Sequence, residues 1–181
     1  FVFKGSLKNQ NLLIVAASYV FYGWWDWRFL GLIIFSTVLD FFIGKSLEKT
    51  KLEINRKLLL YTSITANLGV LGIFKYFDFF VSNFIDAFSL FGVEISAGSL
   101  NIILPVGISF YTFQTLSYSI DVYRRKLKHT DDFIAFSAFV CFFPQLVAGP
   151  IERATNLLPQ FLKARKFNYE QAADGMRQIL W

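Results

Sequence analysis

The sequence predicts an all-α fold: a polytopic transmembrane helix bundle with short spans, an interfacial helix and a re-entrant segment. Three observations predict it. Hydrophobic residues make up 55% of the 181-residue chain and aromatic residues 19%, with 23 Phe. A soluble domain of that size has too little interior to hide so much apolar surface. The charged residues are bunched between long apolar runs, as in a chain that crosses a bilayer several times. Lys and Arg then concentrate in alternate connections between those runs, which gives each run a direction.

The runs follow in order. Lys4 and Lys8 precede the first, about 11–25, and the second covers 29–44. Between them Trp24, Trp25 and Trp27, with Tyr22, read as an aromatic belt at the outer interface, with Arg28 the lone cation. The connection 45–57 carries Lys45, Lys49, Lys51, Arg56 and Lys57, and a third run spans 58–80. Residues 77–91 then place Phe77, Phe80, Phe84, Phe88 and Phe91 at helical spacing, opposite Asp78, Ser82, Asp86 and Ser89. That pattern suits an amphipathic helix lying in the interface; a longer, tilted third span is the alternative. Residues 76–101 contain no Lys or Arg. The fourth run, 102–123, is followed by Arg124, Arg125, Lys126 and Lys128. The positive-inside rule therefore puts 1–10, 45–57 and 124–132 in the cytoplasm.

The fifth run, 133–150, breaks the alternation. A full crossing would leave Arg153, Lys163, Arg165 and Lys166 outside, and Pro144 and Pro150 interrupt helical hydrogen bonding. A broken, re-entrant segment entering and leaving on the cytoplasmic side is expected. Irregular backbone at that depth survives only when buried in protein or lining a cavity. An amphipathic helix is expected over 168–181.

Several chemistries find no support. The net charge of +5 comes from basic residues in short loops and not from one soluble face, so nucleic acid is not a predicted partner. Cys141 is the single cysteine and cannot form an internal disulfide. His129 is the single histidine and reads as a solvated loop residue; no metal-ligand spacing, Gly-rich phosphate loop or serine elbow occurs. The first run flows directly into a second and lacks a cleavage site for a signal peptide.

The most informative stretch is 104–124, apolar enough to cross a bilayer yet carrying Ser109, Tyr111, Thr112, Gln114, Ser117, Tyr118, Ser119 and Asp121. Hydrocarbon cannot satisfy these groups, so they face protein, water or a ligand. Tyr111 and Tyr118 share a helix face, with Gln114 and Ser117 between them. Tyr111, Gln114, Ser117, Tyr118 and, in the broken segment, Gln145 are the candidate lining of a substrate tunnel; helix bridging by the two glutamines is the alternative. Asp40 and Asp121 lie near the cytoplasmic ends of their runs, where loop Lys and Arg would neutralise them. Lys75 either snorkels outward or pairs with Asp78. Composition and periodicity alone divide evenly between an enzyme and a non-enzymatic transporter subunit. A scaffold for an envelope-modifying complex is a third reading.

Leu-Pro-Val-Gly-Ile-Ser-Phe-Tyr-Thr-Phe-Gln (104–114), Tyr-Ser-Ile-Asp-Val-Tyr-Arg (118–124) and Phe-Phe-Pro-Gln-Leu-Val-Ala-Gly-Pro-Ile-Glu-Arg (142–153) resemble the membrane-bound O-acyltransferase family. The opening Ala-Ser-Tyr-Val-Phe-Tyr-Gly-Trp-Trp-Asp-Trp-Arg-Phe (17–29) is similar to the bacterial branch that contains the alginate O-acetyltransferase membrane protein. The resemblance implies a multi-pass enzyme of the bacterial inner membrane. It would pass an acyl group, expected to be acetyl from acetyl-CoA, through a central tunnel to hydroxyls of a cell-envelope polysaccharide, with an extracytoplasmic partner protein. The family's catalytic histidine lies in an apolar segment after the matched region, and no histidine here occupies one. The expectation is an N-terminal portion of a longer acyltransferase, with no catalytic residue of its own and inactive alone.

Overall fold

The computed structural model describes residues 6–89, 105, 107–150, 152–165 and 168–180. Among them every regular element is helical: α1 (Leu7–Lys49), α2 (Glu53–Ser89), α3 (Ile108–Tyr123), α4 (Phe133–Cys141), α5 (Phe143–Ala148), α6 (Ala154–Leu162) and α7 (Tyr169–Leu180). Two stretches, Leu7–Lys49 and Glu53–Phe77, are long and apolar enough to cross a membrane.

α1 opens on Ser6, whose side chain accepts a hydrogen bond from the Asn9 N–H, and it contains the first two apolar runs. They are separate segments. Asp26 is extended (φ −159°, ψ 113°) and its carboxylate takes N–H groups of Arg28, including the backbone one at 2.9 Å. The bend must be sharp. Ser18 in the first half lies beside Cys141, whereas Phe41 in the second half packs edge-on to Phe133 at 5.1 Å. Phe133 and Cys141 are the two ends of α4, ~12 Å apart, while a straight helix would separate Ser18 from Phe41 by ~35 Å. A Cβ on Gly23 would likewise lie 3.1 Å from Leu30 Cδ1, seven residues on and ~10 Å further along a straight helix. Trp24, Trp25 and Trp27 at this bend are exposed, Trp24 by 90%. Tyr22 is not one of the belt: it is buried, with its hydroxyl 2.8 Å from where a Cβ on Gly107 would stand.

α2 is continuous from Glu53 to Ser89. No break separates the third apolar run from the expected interfacial helix, so 77–89 extends the same helix, as the alternative had it. Phe91 and the side chains of Asp78, Phe84, Asp86 and Phe88 lie outside the described residues, as do 102–104 of the fourth run and Trp181 of the last helix. Lys75 is exposed and sits over the Tyr76 ring, 5.4 Å from its centre.

The fifth run is broken, as Pro144 leads one to expect. α4 is capped by Asp132, whose carboxylate accepts from the Ala135 N–H at 3.0 Å. It stops at Phe142 (ψ 96°), and α5 starts with Pro in its first turn, where a missing N–H costs nothing. The segment runs antiparallel to α3. Phe136 meets Tyr118 (ring centres 4.6 Å), the Phe139 carbonyl meets Gln114, and the Leu146 carbonyl meets Gly107 at the start of α3. The chain then reverses. By Ala154 its N–H is 3.3 Å from Ser117 Oγ, ~15 Å back along α3. α6 buries Ala154, Leu157, Leu158 and Phe161. Asn11, fully buried, closes the return: its amide donates to the Phe161 carbonyl (2.8 Å) and accepts from Arg165 (2.6 Å). α7 buries no residue and exposes Tyr169, Met176, Ile179 and Leu180.

Candidate functional site: the two polar faces of helix α3

α3 begins at Gly107, whose φ of 76° favours a residue without Cβ; a Cβ there would also crowd Leu146 O at 3.2 Å. Its polar residues fall on two faces about 100° apart.

One face, Thr115 and Ser119, looks toward α1 and α2. It meets Asp40, which is completely buried. Asp40 Oδ1 accepts from Ser119 Oγ at 2.6 Å and from Ser63 Oγ, and Oδ2 accepts from Asn67 Nδ2 at 2.7 Å. Asn67 also donates to the Ser63 carbonyl (3.0 Å) and accepts from Thr115 Oγ1 (3.4 Å). One carboxylate thus ties three helices together. This corrects the expectation that loop cations neutralise Asp40: hydroxyls and an amide hold it, and no ion pair reaches it among the described residues. The signal for the partners was present as two polar pairs at i, i+4, Ser63/Asn67 and Thr115/Ser119, but nothing in one helix's sequence says which neighbour its polar side meets. Asp121 is also buried, and its backbone carbonyl accepts from the Lys126 and Leu127 N–H groups.

The other face, Tyr111, Gln114 and Tyr118, looks toward α4 and α5. All three are buried. Gln114 Nε2 donates to the Phe139 carbonyl at 2.7 Å, which is the helix-bridging role. Ser117, half-buried, donates to the Gln114 carbonyl (2.8 Å) and receives the Ala154 N–H. Gln145 donates to the Pro150 carbonyl (3.1 Å) and closes the turn at the tip of the broken segment. Tyr118 fits under Gly44, where a Cβ would stand 2.5 Å from its hydroxyl. The structure therefore packs Tyr111, Gln114, Ser117 and Tyr118 of α3 against the folded-in segment that carries Gln145 and the return at Ala154. At the Gly107 end the Tyr22, Tyr111 and Thr112 hydroxyls are buried with no hydrogen-bond partner among the described residues. Leaving a buried hydroxyl without a partner costs about 1–3 kcal/mol.

At the opposite end of α3 the basic connections meet. Arg56 is buried and donates to the Leu47 carbonyl and to the Tyr123 carbonyl (2.6 Å). His129 is not the solvated residue expected: its side chain is 12% exposed, its backbone N–H donates to Glu48 at 2.9 Å, and its Nε2 lies 3.9 Å from Asp131. Lys45 sits 3.1 Å from Asp131 and holds that carboxyl below the usual carboxylate range. His129 belongs to this rim, beside Glu48 and Asp131. No group of His, Cys, Asp and Glu among the described residues has a metal-holding arrangement.

The chain is 39% identical over 174 residues to the probable alginate O-acetylase AlgI of Azotobacter vinelandii, covering 96% of this chain and 34% of that protein. It is 38% identical over 174 residues to the protein of the same name from Pseudomonas aeruginosa, with 96% and 33% covered. It is 30% identical over 205 residues to a peptidoglycan O-acetyltransferase of Helicobacter pylori, with 97% and 38% covered. The chain spans about a third of the length of these relatives. No family model matches the chain, and no solved structure matches it.

Proposed function

On the premise that this chain belongs to the membrane-bound O-acyltransferase-like family of these O-acetylases, we propose that it forms part of an enzyme that acetylates hydroxyls of a cell-envelope polysaccharide across the bacterial inner membrane. The similarity to two kinds of polysaccharide O-acetylase over 96–97% of the chain carries the reading. The donor is acetyl-CoA, bound from the cytoplasm, and an extracytoplasmic partner protein engages the acceptor. The general base comes from outside these 181 residues, since a base must come within hydrogen-bond reach of the hydroxyl it deprotonates.

The membrane arrangement follows the same reading. The halves of α1, α2 and α3 span a multi-pass bundle. The α4–α5 segment enters beside Tyr118, reaches Gly107 and returns to Ser117, so it is re-entrant from the cytoplasmic side. Two observations support this: α4 and α5 together are too short for a ~30 Å core, and the return puts Arg165 against Asn11, on the side of Lys8. The groove between α3 and that segment, with Tyr111, Gln114, Ser117, Tyr118 and Gln145, is part of the tunnel wall. The orphaned Tyr22 and Tyr111 hydroxyls are the groups that meet the acetyl carbonyl or the acceptor. Radiolabelled acetyl transfer to envelope polysaccharide by the full-length protein tests the activity. Incorporation above that of a strain lacking the protein is expected. Its absence, with solute flux in proteoliposomes, would replace the enzyme with a transporter.

A further inference from the structure

A cavity of about 330 Å³ opens between the α1–α2 connection and the loop after α3, lined by Glu48, Thr50, Lys51, Arg56, Val122, Arg125, Leu127 and Lys128. Four of these side chains are cationic and one is acidic. Arg56 is fully engaged: besides its two carbonyl partners it faces Glu53 at 3.8 Å and stacks on Tyr123. Glu48 is held by the His129 N–H. Lys51, Arg125 and Lys128 are exposed and enter none of the ion pairs among the described residues. Three cations outside the ion pairs of the described residues therefore line a cavity with one carboxylate, Glu48, which takes the His129 N–H.

The backbone adds an independent observation. α3 ends in a Schellman motif: the Lys126 N–H bonds the Asp121 carbonyl (2.9 Å) and the Arg125 N–H bonds the Val122 carbonyl (3.0 Å). That motif puts its C′ residue in the left-handed region, normally the place of glycine. Here it is Arg125, at φ 59°, the one non-glycine with positive φ among the described residues. A side chain at such a position strains the backbone. What it gains here is a guanidinium at the cavity mouth, whose planar fork matches phosphate oxygens.

We propose that Lys51, Arg125 and Lys128, over the floor formed by Arg56, bind a phosphate-bearing ligand, either the headgroup of an anionic phospholipid or the phosphates of a soluble nucleotide-type molecule. The site stands on the cavity, the cations and the Arg125 backbone, and does not depend on the acetyl-transfer reading.

The test uses the full-length protein in dodecyl maltoside, which carries no phosphate. Inorganic pyrophosphate is titrated calorimetrically, and retention of phosphatidylglycerol is followed by native mass spectrometry. Two variants are compared, Arg125→Gly and the pair Lys51→Gln/Lys128→Gln, with Lys45→Gln, paired to Asp131 outside the cavity, as control. Arg125→Gly relaxes the left-handed residue, so its melting temperature stays or rises, while anion affinity falls about tenfold. Pyrophosphate binding weakened in both variants supports a soluble phosphate ligand. No pyrophosphate binding, with phosphatidylglycerol lost from both variants, supports a lipid headgroup. Wild-type protein that retains neither probe, or variants that bind like Lys45→Gln and wild type, overturns the site. Should Arg125→Gly fail to fold, the Lys pair, on exposed side chains, decides alone.

Discussion

The two polar faces of α3 are buried to the same degree and differ in how completely they are satisfied. On the Thr115/Ser119 side both oxygens of Asp40 are taken by Ser63, Ser119 and Asn67. On the Tyr111/Gln114 side the amide is satisfied, but the Tyr22 and Tyr111 hydroxyls are not. A polar group whose partners are all internal can be explained by folding alone. One buried without a partner raises the energy of the fold and asks for a further reason. Burial alone therefore does not distinguish the Asp40 junction from the Gly107 end of α3, whereas the hydrogen bonds made at each do.

Substitutions break that comparison in graded steps. Asp40→Leu should cost most. It strands the Ser63, Ser119 and Asn67 donors in an apolar interior, and about 3 kcal/mol of stability should be lost, read by denaturant unfolding in detergent. A melting curve like wild type would mean that the junction is not what joins α1, α2 and α3. Gly44→Val comes next. The added Cβ meets the Tyr118 ring, which Phe136 backs from the other side. Overpacking of this kind costs about 1–3 kcal/mol, and pairing it with Tyr118→Ala should recover part of the loss. Gln114→Leu removes a single bridge and leaves the Phe139 carbonyl short of a donor, for about 1 kcal/mol.

The rim should respond least. The Lys45–Asp131 pair is exposed, and Asp131→Asn should leave stability nearly unchanged. Because Lys45 lowers the Asp131 carboxyl in the folded state, the pair's contribution is fully present above the ordinary aspartate range. It is lost only as pH falls through the lower, folded-state value. Down to the ordinary aspartate range, about pH 4, the wild type should therefore keep its difference in melting temperature from Asp131→Asn, losing it only at lower pH. A difference that closes over that range would mean the carboxyl is not lowered.

Much of this was legible in the sequence, and most of the misses share one cause. Hydropathy located the helical runs, the Trp-Trp-Asp-Trp stretch marked the bend at Asp26, and Pro144 marked the break between α4 and α5. These are local properties, set by a residue's own backbone preferences and solvent. Asp40 was assigned to loop cations because charge near a basic loop is a local inference. Its actual partners come from α2 and α3, at sequence separations of 23, 27 and 79. Tyr22 was placed with its tryptophan neighbours, yet it is buried, with Gly107 leaving room for its hydroxyl. His129 looked solvated within a charged loop, but Glu48 and Asp131 fold around it. The interfacial helix failed differently: the amphipathic pattern over 77–89 was real, but nothing in it specified a break from the helix before. The sequence could group Tyr111, Gln114 and Tyr118 on one helix face, while their hydrogen-bond partners could be read only once the neighbouring helices were in place.

The most direct test is acetyl transfer by the full-length protein carrying Tyr111→Phe and Tyr22→Phe. Removing two unpartnered hydroxyls should leave the melting temperature at or slightly above that of wild type, since nothing in the fold loses a bond. Transfer of radiolabelled acetyl to the envelope polysaccharide should fall by roughly tenfold or more. Transfer at the wild-type rate, in a protein of unchanged stability, would contradict the account and return the groove to architecture.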